Sequence, residues 1–484
     1  MKGAQLGFTE WALNRCFHVV DVLGLSVLYV LPVQSPDVKD FSSARFDAAL
    51  ELSPYLSQLF GDTKNVGFKR SGAKAVYIRG SRGDLKSIPI ACLILDEFEE
   101  MNQAKVALAE ERLSGQVSTK KQYTLSTPRV EGGGIHKRFM MTDQKEYYFK
   151  CPGCSRFENL RYPESFVRTS DELHDEKLKE SHYICTQCKK LLVHSEKPSW
   201  LSTSQWVPKF PGRDRSGYFI NQLYSTTVSP YEIAVKSILA EFDPVENQEF
   251  HNSKLGITFT PKDGRILDEH FEQCKANYLM PAVPFPNRRI TMGIDVGSFF
   301  DYEIDEWITP SGPYSQERAQ GRLLDTDSVR DLSDLHKKIA YYKPNKIVID
   351  AAPEHRLAIQ FCSDYPGIAH MCYYNEHLKG KNISTKGDDV EDAITREPIV
   401  TVNRTSWLDL ALARLKNKSL KVPVNLQEKY KQHLKALARV PERDSENNTI
   451  YRYREIGPDH RAHARVYSEI ALRLTYGGGK VLSL

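Results

Sequence analysis

The chain opens with a helical pattern and then breaks into short apolar runs that stop at polar residues. Thr9 to Val20 has helical periodicity, and Ser26 to Val33 is the first apolar run after it. Ile88 to Leu95 reads Ile-Pro-Ile-Ala-Cys-Leu-Ile-Leu and ends at Asp96-Glu97. An apolar run of this kind predicts a strand covered on both faces, as in a parallel sheet. Gln122 to Leu125 predicts a neighbouring strand that ends at Ser126-Thr127-Pro128. The pattern recurs much later. Arg289 to Val296 predicts a strand with Asp295 inside it, and Ile347 to Asp350 a strand ending in a carboxylate. Pro353 is placed to open a helix, and Val466 to Leu474 is an apolar helix led in by Gly457 to Arg465.

The polar residues at these strand ends carry the candidate chemistry. Open α/β sheets bind ligands beyond the carboxyl ends of their strands. There Asp96 would hold Mg²⁺ and Glu97 would polarise an attacking water; the alternative is two solvated acids capping a core strand. A small polar residue such as Ser126 or Thr127 at a strand end can sense a γ-phosphate.

Lys2 to Glu10 reads Lys-Gly-Ala-Gln-Leu-Gly-Phe-Thr-Glu. Phosphate loops follow G-x-x-x-x-G-K-[ST], with backbone N–H groups on the phosphates and Ser/Thr on Mg²⁺. Aligning Gly7 and Thr9 with that pattern puts Phe8 at the lysine position and Lys2 at the opposite end of the loop. Lys2 can reach phosphates from there because the loop folds around them. Gly3 and Gly7 permit close backbone approach, and Thr9 opens the helix. A plain Gly-containing coil is the competing reading. The strand that precedes such a loop would lie before Met1.

Cys151-Pro-Gly-Cys154 and Cys185-Thr-Gln-Cys188 are two C-x-x-C units separated by 30 residues. Four thiolates so paired predict a tetrahedral structural Zn²⁺, with the polar stretch Ser170 to Lys179 as a loop between the knuckles. A redox dithiol and incidental thiols are the alternatives. Four cysteines leave no open coordination position, which disfavours a catalytic zinc.

Asp295, Asp350 and Asp459 lie far apart in sequence. On two strand ends and a helix start they can converge around two Mg²⁺ or Mn²⁺ ions, an arrangement suited to phosphodiester hydrolysis on an RNase H-like fold. Isolated acids capping strands are the alternative. Arg404 to Arg443 holds ten Lys/Arg against three Asp/Glu. Such a segment can track phosphates or form a solvated helical face.

Composition narrows the class. The 484 residues are 40% apolar and 26% charged, which excludes wholesale disorder and suggests about three domains. A net charge of +4 makes any basic surface local. Nine cysteines, an odd number in a long chain, argue against a disulfide framework and for a reducing compartment. The most apolar stretch, Val19 to Val33, contains Asp21 and Pro32 and falls short of the roughly 20 apolar residues of a membrane span. No signal peptide is legible.

Together these segments resemble the large terminase subunit of tailed bacteriophages, in its lambda-like, zinc-containing branch. The carrying segments are KGAQLGFTE, CLILDEFEEM (Cys92 to Met101), YTLSTPR (Tyr123 to Arg129), the paired knuckles, GYFINQLYS (Gly217 to Ser225), TMGIDV (Thr291 to Val296) and PDHRAHARVYSEIAL (Pro458 to Leu472). They stand in family order over almost the whole chain. The resemblance implies an α/β architecture. A P-loop, additional-strand ATPase core at 1–150 is followed by a zinc-ribbon-like insertion at 151–196. The end of the ATPase region and a linker occupy 197–285, and an RNase H-like nuclease domain 286–484.

The resemblance further implies a packaging motor. ATP hydrolysis drives double-stranded DNA into a procapsid through the portal, with a small terminase subunit as partner and a homo-oligomeric ring as the working assembly. A metal-dependent endonuclease cuts concatemeric DNA in the host cell cytoplasm, and no membrane is involved. By position, Lys2, Gly3, Gly7 and Thr9 become nucleotide contacts, Asp96 the Mg²⁺ residue and Glu97 the catalytic base. Ser126 and Thr127 match the motif that couples hydrolysis to movement. Asp295 and Asp350 become the first two nuclease acids. ATP, Mg²⁺ or Mn²⁺, and Zn²⁺ are the implied cofactors.

Two departures stand out. The family's domain extends upstream of the loop, so the N-terminal part of the ATPase is expected to be missing and its activity impaired. Some relatives also place the third acid where this chain has His463; Asp459 is preferred because hard cations favour oxygen ligands. The alternatives are a non-motor RNase H-like nuclease with a degenerate ATPase and a zinc-dependent DNA-binding scaffold.

Overall fold

A computed structural model describes residues 1–61, 65–83, 85, 90–111, 113, 120–308, 318–376, 378, 383–385, 398–444 and 447–476. The chain divides into two compact units, Met1–Phe259 and Thr260–Leu484.

The first unit is built on β1 (Val27–Leu31), β2 (Phe68–Ser71), β3 (Lys74–Gly80), β4 (Cys92–Asp96) and β5 (Lys121–Leu125), in the order β2-β3-β1-β4-β5. β1 runs parallel to β3 and β4, and β4 parallel to β5; only β2 is antiparallel to its neighbour. β1 is buried at every position because both its faces are covered. Val27, Tyr29 and Leu31 pack with the helix α1 (Phe8–Asp21), whereas Leu28 and Val30 pack on the other side with Leu93, Leu95 and Phe98. The expected strand from Ile88 begins at Cys92 instead; residues 86–89 lie outside the described set.

The rest of this unit holds the cysteine module. β6 (Lys145–Lys150) pairs with β7 (Phe157–Glu158), and β8 (Phe166–Val167), β9 (His182–Ile184) and β10 (Leu191–Leu192) form a small antiparallel sheet. β11 (Gln205–Pro208) and β12 (Tyr218–Phe219) flank β6. Phe149, Cys151, Cys185, Trp200, Leu223 and Ile233 share one core, so the module is packed onto the segment that follows it.

The second unit has one eight-stranded sheet. Its strands are β13 (Arg289–Val296), β14 (Phe300–Ile308), β15 (Gln320–Val329), β16 (Lys346–Asp350), β17 (Ala369–Tyr374), β18 (Ile383–Thr385), β19 (Ile399–Val402) and β20 (Leu420–Lys421), in the order β18-β19-β17-β16-β13-β14-β15-β20. β13, β16, β17 and β19 are parallel, while β14 joins β13 and β15 antiparallel. Helix Asp268–Cys274 belongs to this unit, with Phe271 and Cys274 in its core. Pro353 follows a cis peptide bond, and the helix there starts at His355, two residues later than expected.

The last helix, His460–Leu474, begins earlier than the apolar pattern suggested. Its first two turns bury the charged side chains of Arg461 and Arg465, and the reason lies on the strand beneath. Phe300, Tyr302 and Ile304 of β14 face an apolar core, so the alternate residues Asp301, Glu303 and Asp305 face the opposite side. The helix meets them with Arg461 and Arg465, one turn apart. Arg461 Nε lies 3.4 Å from Asp301, Arg465 Nη1 2.7 Å from Asp305, and Arg465 also pairs with Glu303. Glu469 continues the stripe and pairs with Arg414 at 2.5 Å. Removing one member of such a buried network costs about 3–5 kcal/mol, because the remaining charge is left unpaired. No helix of the described residues is long and apolar enough to cross a membrane.

Candidate functional sites

The first site gathers at the carboxyl end of β4. Asp96 is the last residue of the strand and is 1% exposed; Tyr29 on the neighbouring strand donates its hydroxyl to Asp96 Oδ2 at 2.6 Å. Glu97 turns the chain sharply, with φ 56°, a left-handed conformation uncommon outside glycine. Its Oε1 lies 3.3 Å from Lys2 Nζ. Burial raises the Glu97 carboxyl above its usual range and Lys2 opposes that rise.

The Lys2 side chain is held from behind. The Lys2 backbone N–H donates to Ser126 O at 3.2 Å, and the Gly3 N–H to Ile220 O at 2.8 Å. Ser126 is fully buried, and its Oγ accepts from Glu99 N at 3.1 Å. The start of the chain, the end of β4 and the end of β5 thus meet at Ser126, with Thr127 half-buried beside it. Gly7 caps α1 in a left-handed conformation, φ 74°, which an L side chain would adopt only with strain, and Thr9 lies in the first helical turn. Sequence reasoning missed Tyr29, which reads as one more apolar strand position.

At the second site the four thiols converge. Cys151, Cys154, Cys185 and Cys188 have all their Sγ atoms within 4.8 Å of one another, the one such cluster of potential metal ligands among the described residues. Cys151 and Cys188 are 3.7 Å apart, and Cys154 and Cys185 3.9 Å. A tetrahedron with Zn–S bonds of about 2.3 Å has edges of about 3.8 Å, so the donor set fits zinc. Hydrogen bonding from the Lys190 backbone lowers the Cys188 thiol to about 7, which favours a thiolate. Glu158 accepts from the Thr186 backbone at 2.8 Å and fixes the second knuckle.

The third site lies where β13 and β16 end. The parallel register pairs Ile294 with Ile349, so Asp295 and Asp350 stand at the next position on adjacent strands. Ile294 and Ile349 both face the apolar core, which turns both acids to the other face, toward helix His460–Leu474. Burial pushes the Asp350 carboxyl up to about 6, and the Asp295 charge adds to the rise. His460 Nδ1 lies 2.9 Å from Asp295 Oδ2, and this bond raises the imidazole to about 8.

Asp459 caps the last helix by position but makes no side-chain cap bond. Its Oδ2 lies 3.2 Å from His463 Nε2, one turn on, and 3.8 Å from Arg404. Burial raises the Asp459 carboxyl, but His463 and Arg404 outweigh it and the net shift is downward. His463 is also held by the Tyr374 hydroxyl, at 2.9 Å from Nδ1. Sequence reasoning missed Asp301. It is the direct cross-strand partner of Asp295, is 4% exposed and accepts from Ser328 Oγ at 2.5 Å. The signal was present as an Asp six residues after Asp295, but only the β13–β14 hairpin makes the two neighbours.

Residues 1–206 match the family model described as phage terminase large subunit gpA, ATPase domain. No curated protein matches the sequence. The solved large terminase of bacteriophage HK97 aligns over 96% of this chain and 89% of its own, with TM-score 0.52 and 11% identity. At that identity the likeness concerns the fold alone. A large terminase from a thermophilic bacteriophage aligns over 97% of this chain and 92% of its own, with 11% identity and TM-score 0.31. The magnesium-bound large terminase nuclease of thermophilic phage G20c aligns over 43% of this chain and 98% of its own, with 10% identity and TM-score 0.27. Scores that low add nothing to the fold assignment.

Proposed function

We propose that this chain, whose residues 1–206 match the family model described as phage terminase large subunit gpA, ATPase domain, is the motor subunit of phage genome packaging. In this reading it hydrolyses ATP to move double-stranded DNA through the portal, and it cuts DNA with its second unit. The observation that carries the motor reading is the Lys2–Glu97 pair at the carboxyl end of β4, beside Asp96 and Ser126. Lys2 binds phosphate charge, Asp96 takes the Mg²⁺ that accompanies ATP, and Glu97 accepts a proton from water. A carboxyl raised by burial is the better base for that step. Ser126 touches both the lysine segment and the loop after Glu97, so a change at the nucleotide reaches β5 through one residue.

The nuclease reading rests on Asp295 and Asp350 standing side by side. Carboxylates on adjacent strand ends, with Asp301 across the hairpin, offer the oxygen ligands that Mg²⁺ or Mn²⁺ prefers. Bound there, such ions supply a charged clamp for phosphodiester hydrolysis. The chain's own part is to hold the acids fixed. Asp295 is oriented by His460, and helix His460–Leu474 is locked to β14 by the arginine network. The expected organisation is an ATPase region interrupted by a zinc-ribbon-like module at 151–196 and followed by the nuclease, with host cytoplasm as the compartment and small terminase subunit, procapsid and a ring of copies as partners.

DNA-stimulated ATP hydrolysis together with Mg²⁺- or Mn²⁺-dependent cleavage of plasmid DNA is the expected result. Cleavage without ATP turnover would favour the non-motor nuclease. Retained zinc with neither activity would favour the scaffold.

A further inference from the structure

The turn between β13 and β14 carries an aromatic side chain that its geometry does not require. Tight hairpin turns favour Gly, Asn, Asp or Ser, and Gly297 and Ser298 fit that chemistry. Phe299 does not, and it is 39% exposed while its neighbours Phe300 and Asp301 are buried. Two cations from different elements stand over its ring. Arg330, just beyond β15, is 5.4 Å from the ring centroid, and Lys429, in helix Glu428–Lys435, is 5.9 Å away. Lys429 Nζ also donates to Ser328 Oγ at 2.7 Å and lies 4.0 Å from Asp301 Oδ1. The aromatic ring is therefore tied to the acid cluster at its edge.

A planar apolar surface, two exposed cations and the neighbouring strand-end acids complement the three parts of a nucleotide chain: base, flanking phosphates and scissile phosphate. At 5.4 and 5.9 Å the cations sit at the outer limit of cation–π contacts. A base can take the ring face while the cations turn to phosphates. We propose that Phe299, with Arg330 and Lys429, is a stacking platform for an unpaired nucleobase next to the phosphate held at Asp295 and Asp350. The inference rests on the nuclease reading for its substrate and adds to it a preference for strands that are locally unstacked.

The test is binding of a fluorescein-labelled DNA duplex with a single-stranded overhang to the full chain in EDTA, with cleavage in Mn²⁺ measured in parallel. Phe299→Ala and Phe299→Leu are expected to weaken overhang binding about tenfold, the scale of one lost base–aromatic stack, and to weaken blunt-duplex binding less. Phe299→Tyr should bind like wild type. Equal affinity for wild type and Phe299→Ala, full affinity in Phe299→Leu, or no DNA binding by wild type would each overturn the proposal. Aromatic-dependent binding without any cleavage would instead overturn the nuclease reading and leave the platform standing. Cleavage with no dependence on Phe299 would do the reverse.

Discussion

Gly293 lies so close to the last helix that a Cβ there would stand 2.0 Å from the carbonyl oxygen of Ala464 and 2.3 Å from Ser468 N. This contact seats the helix directly on β13. It brings His460 to Asp295 and allows the Thr291 and Ser468 hydroxyls to bond at 2.8 Å. Backbone atoms on both sides cannot yield without moving the helix. Gly293→Ala is therefore expected to destabilise the second unit by about 3 kcal/mol or more, the upper range for overpacking. Urea unfolding monitored by circular dichroism measures it; a loss below about 0.5 kcal/mol, the range of neutral surface changes, would show that the helix is not seated on Gly293.

The thiol cluster should hold one zinc. Elemental analysis of the purified chain is expected to find about one zinc per molecule, as four thiolates require. Cys185→Ser should lose it and lower the melting temperature, because structural zinc binding is folding free energy. A metal-free chain with wild-type melting would refute the assignment.

Glu97→Gln keeps size and hydrogen bonding but cannot accept a proton. ATP turnover is expected to fall by about 100-fold or more, with nucleotide affinity kept, in a steady-state phosphate-release assay. Lys2→Ala should instead weaken nucleotide binding, since a charged phosphate contact is lost. Equal turnover in Glu97→Gln and wild type would remove Glu97 from the role.

The third nuclease ligand can be assigned by comparing Asp459→Asn, His463→Ala and Asp301→Asn. Asp295→Asn and Asp350→Asn should each abolish Mn²⁺-dependent cleavage with the fold intact. Among the other three, Asp459→Asn is expected to have the larger effect than His463→Ala if oxygen ligation decides. Loss only in His463→Ala would give the position to the imidazole, and loss only in Asp301→Asn, with a melting temperature equal to wild type, would give it to the hairpin acid.

Stability should depend on pH in two steps, the lower of which divalent metal flattens. The Asp350 carboxyl titrates near 3.8 when unfolded and about 6 when folded, so between those values the folded chain binds more protons. Unfolding free energy should then fall as pH rises from about 4 to about 6, by up to about 3 kcal/mol at 1.36 kcal/mol per unit. His460 acts in the same direction at higher pH, since it is raised from 6.5 to about 8; its contribution is complete below 6.5 and is lost as pH rises through 8. Asp350→Asn should remove the lower step and Asp295→Asn the upper, read by urea denaturation in EDTA. Mg²⁺ should flatten the lower step. A lower step unchanged in Asp350→Asn would place its origin elsewhere.

The sequence by itself determined the features whose cause is local. The apolar runs within Val27–Leu31, Cys92–Asp96, Arg289–Val296 and Lys346–Asp350 were legible because strands covered on both faces are largely apolar. The C-x-x-C pairs were legible because each knuckle is a single tight turn. The carboxylates of Asp96 and Asp350 stood out because they end apolar runs. Other features depend on partners distant in sequence, and only the tertiary structure decided them. Glu97 meets Lys2 across 95 residues, and Asp295 gains Asp301 only through hairpin pairing. The first turns of helix His460–Leu474 lay outside the apolar run from Val466 because Arg461 and Arg465 interrupt its stripe. They are buried because Asp301, Glu303 and Asp305 compensate their charge, and a pairing between a strand and a helix about 160 residues later leaves no mark in local periodicity.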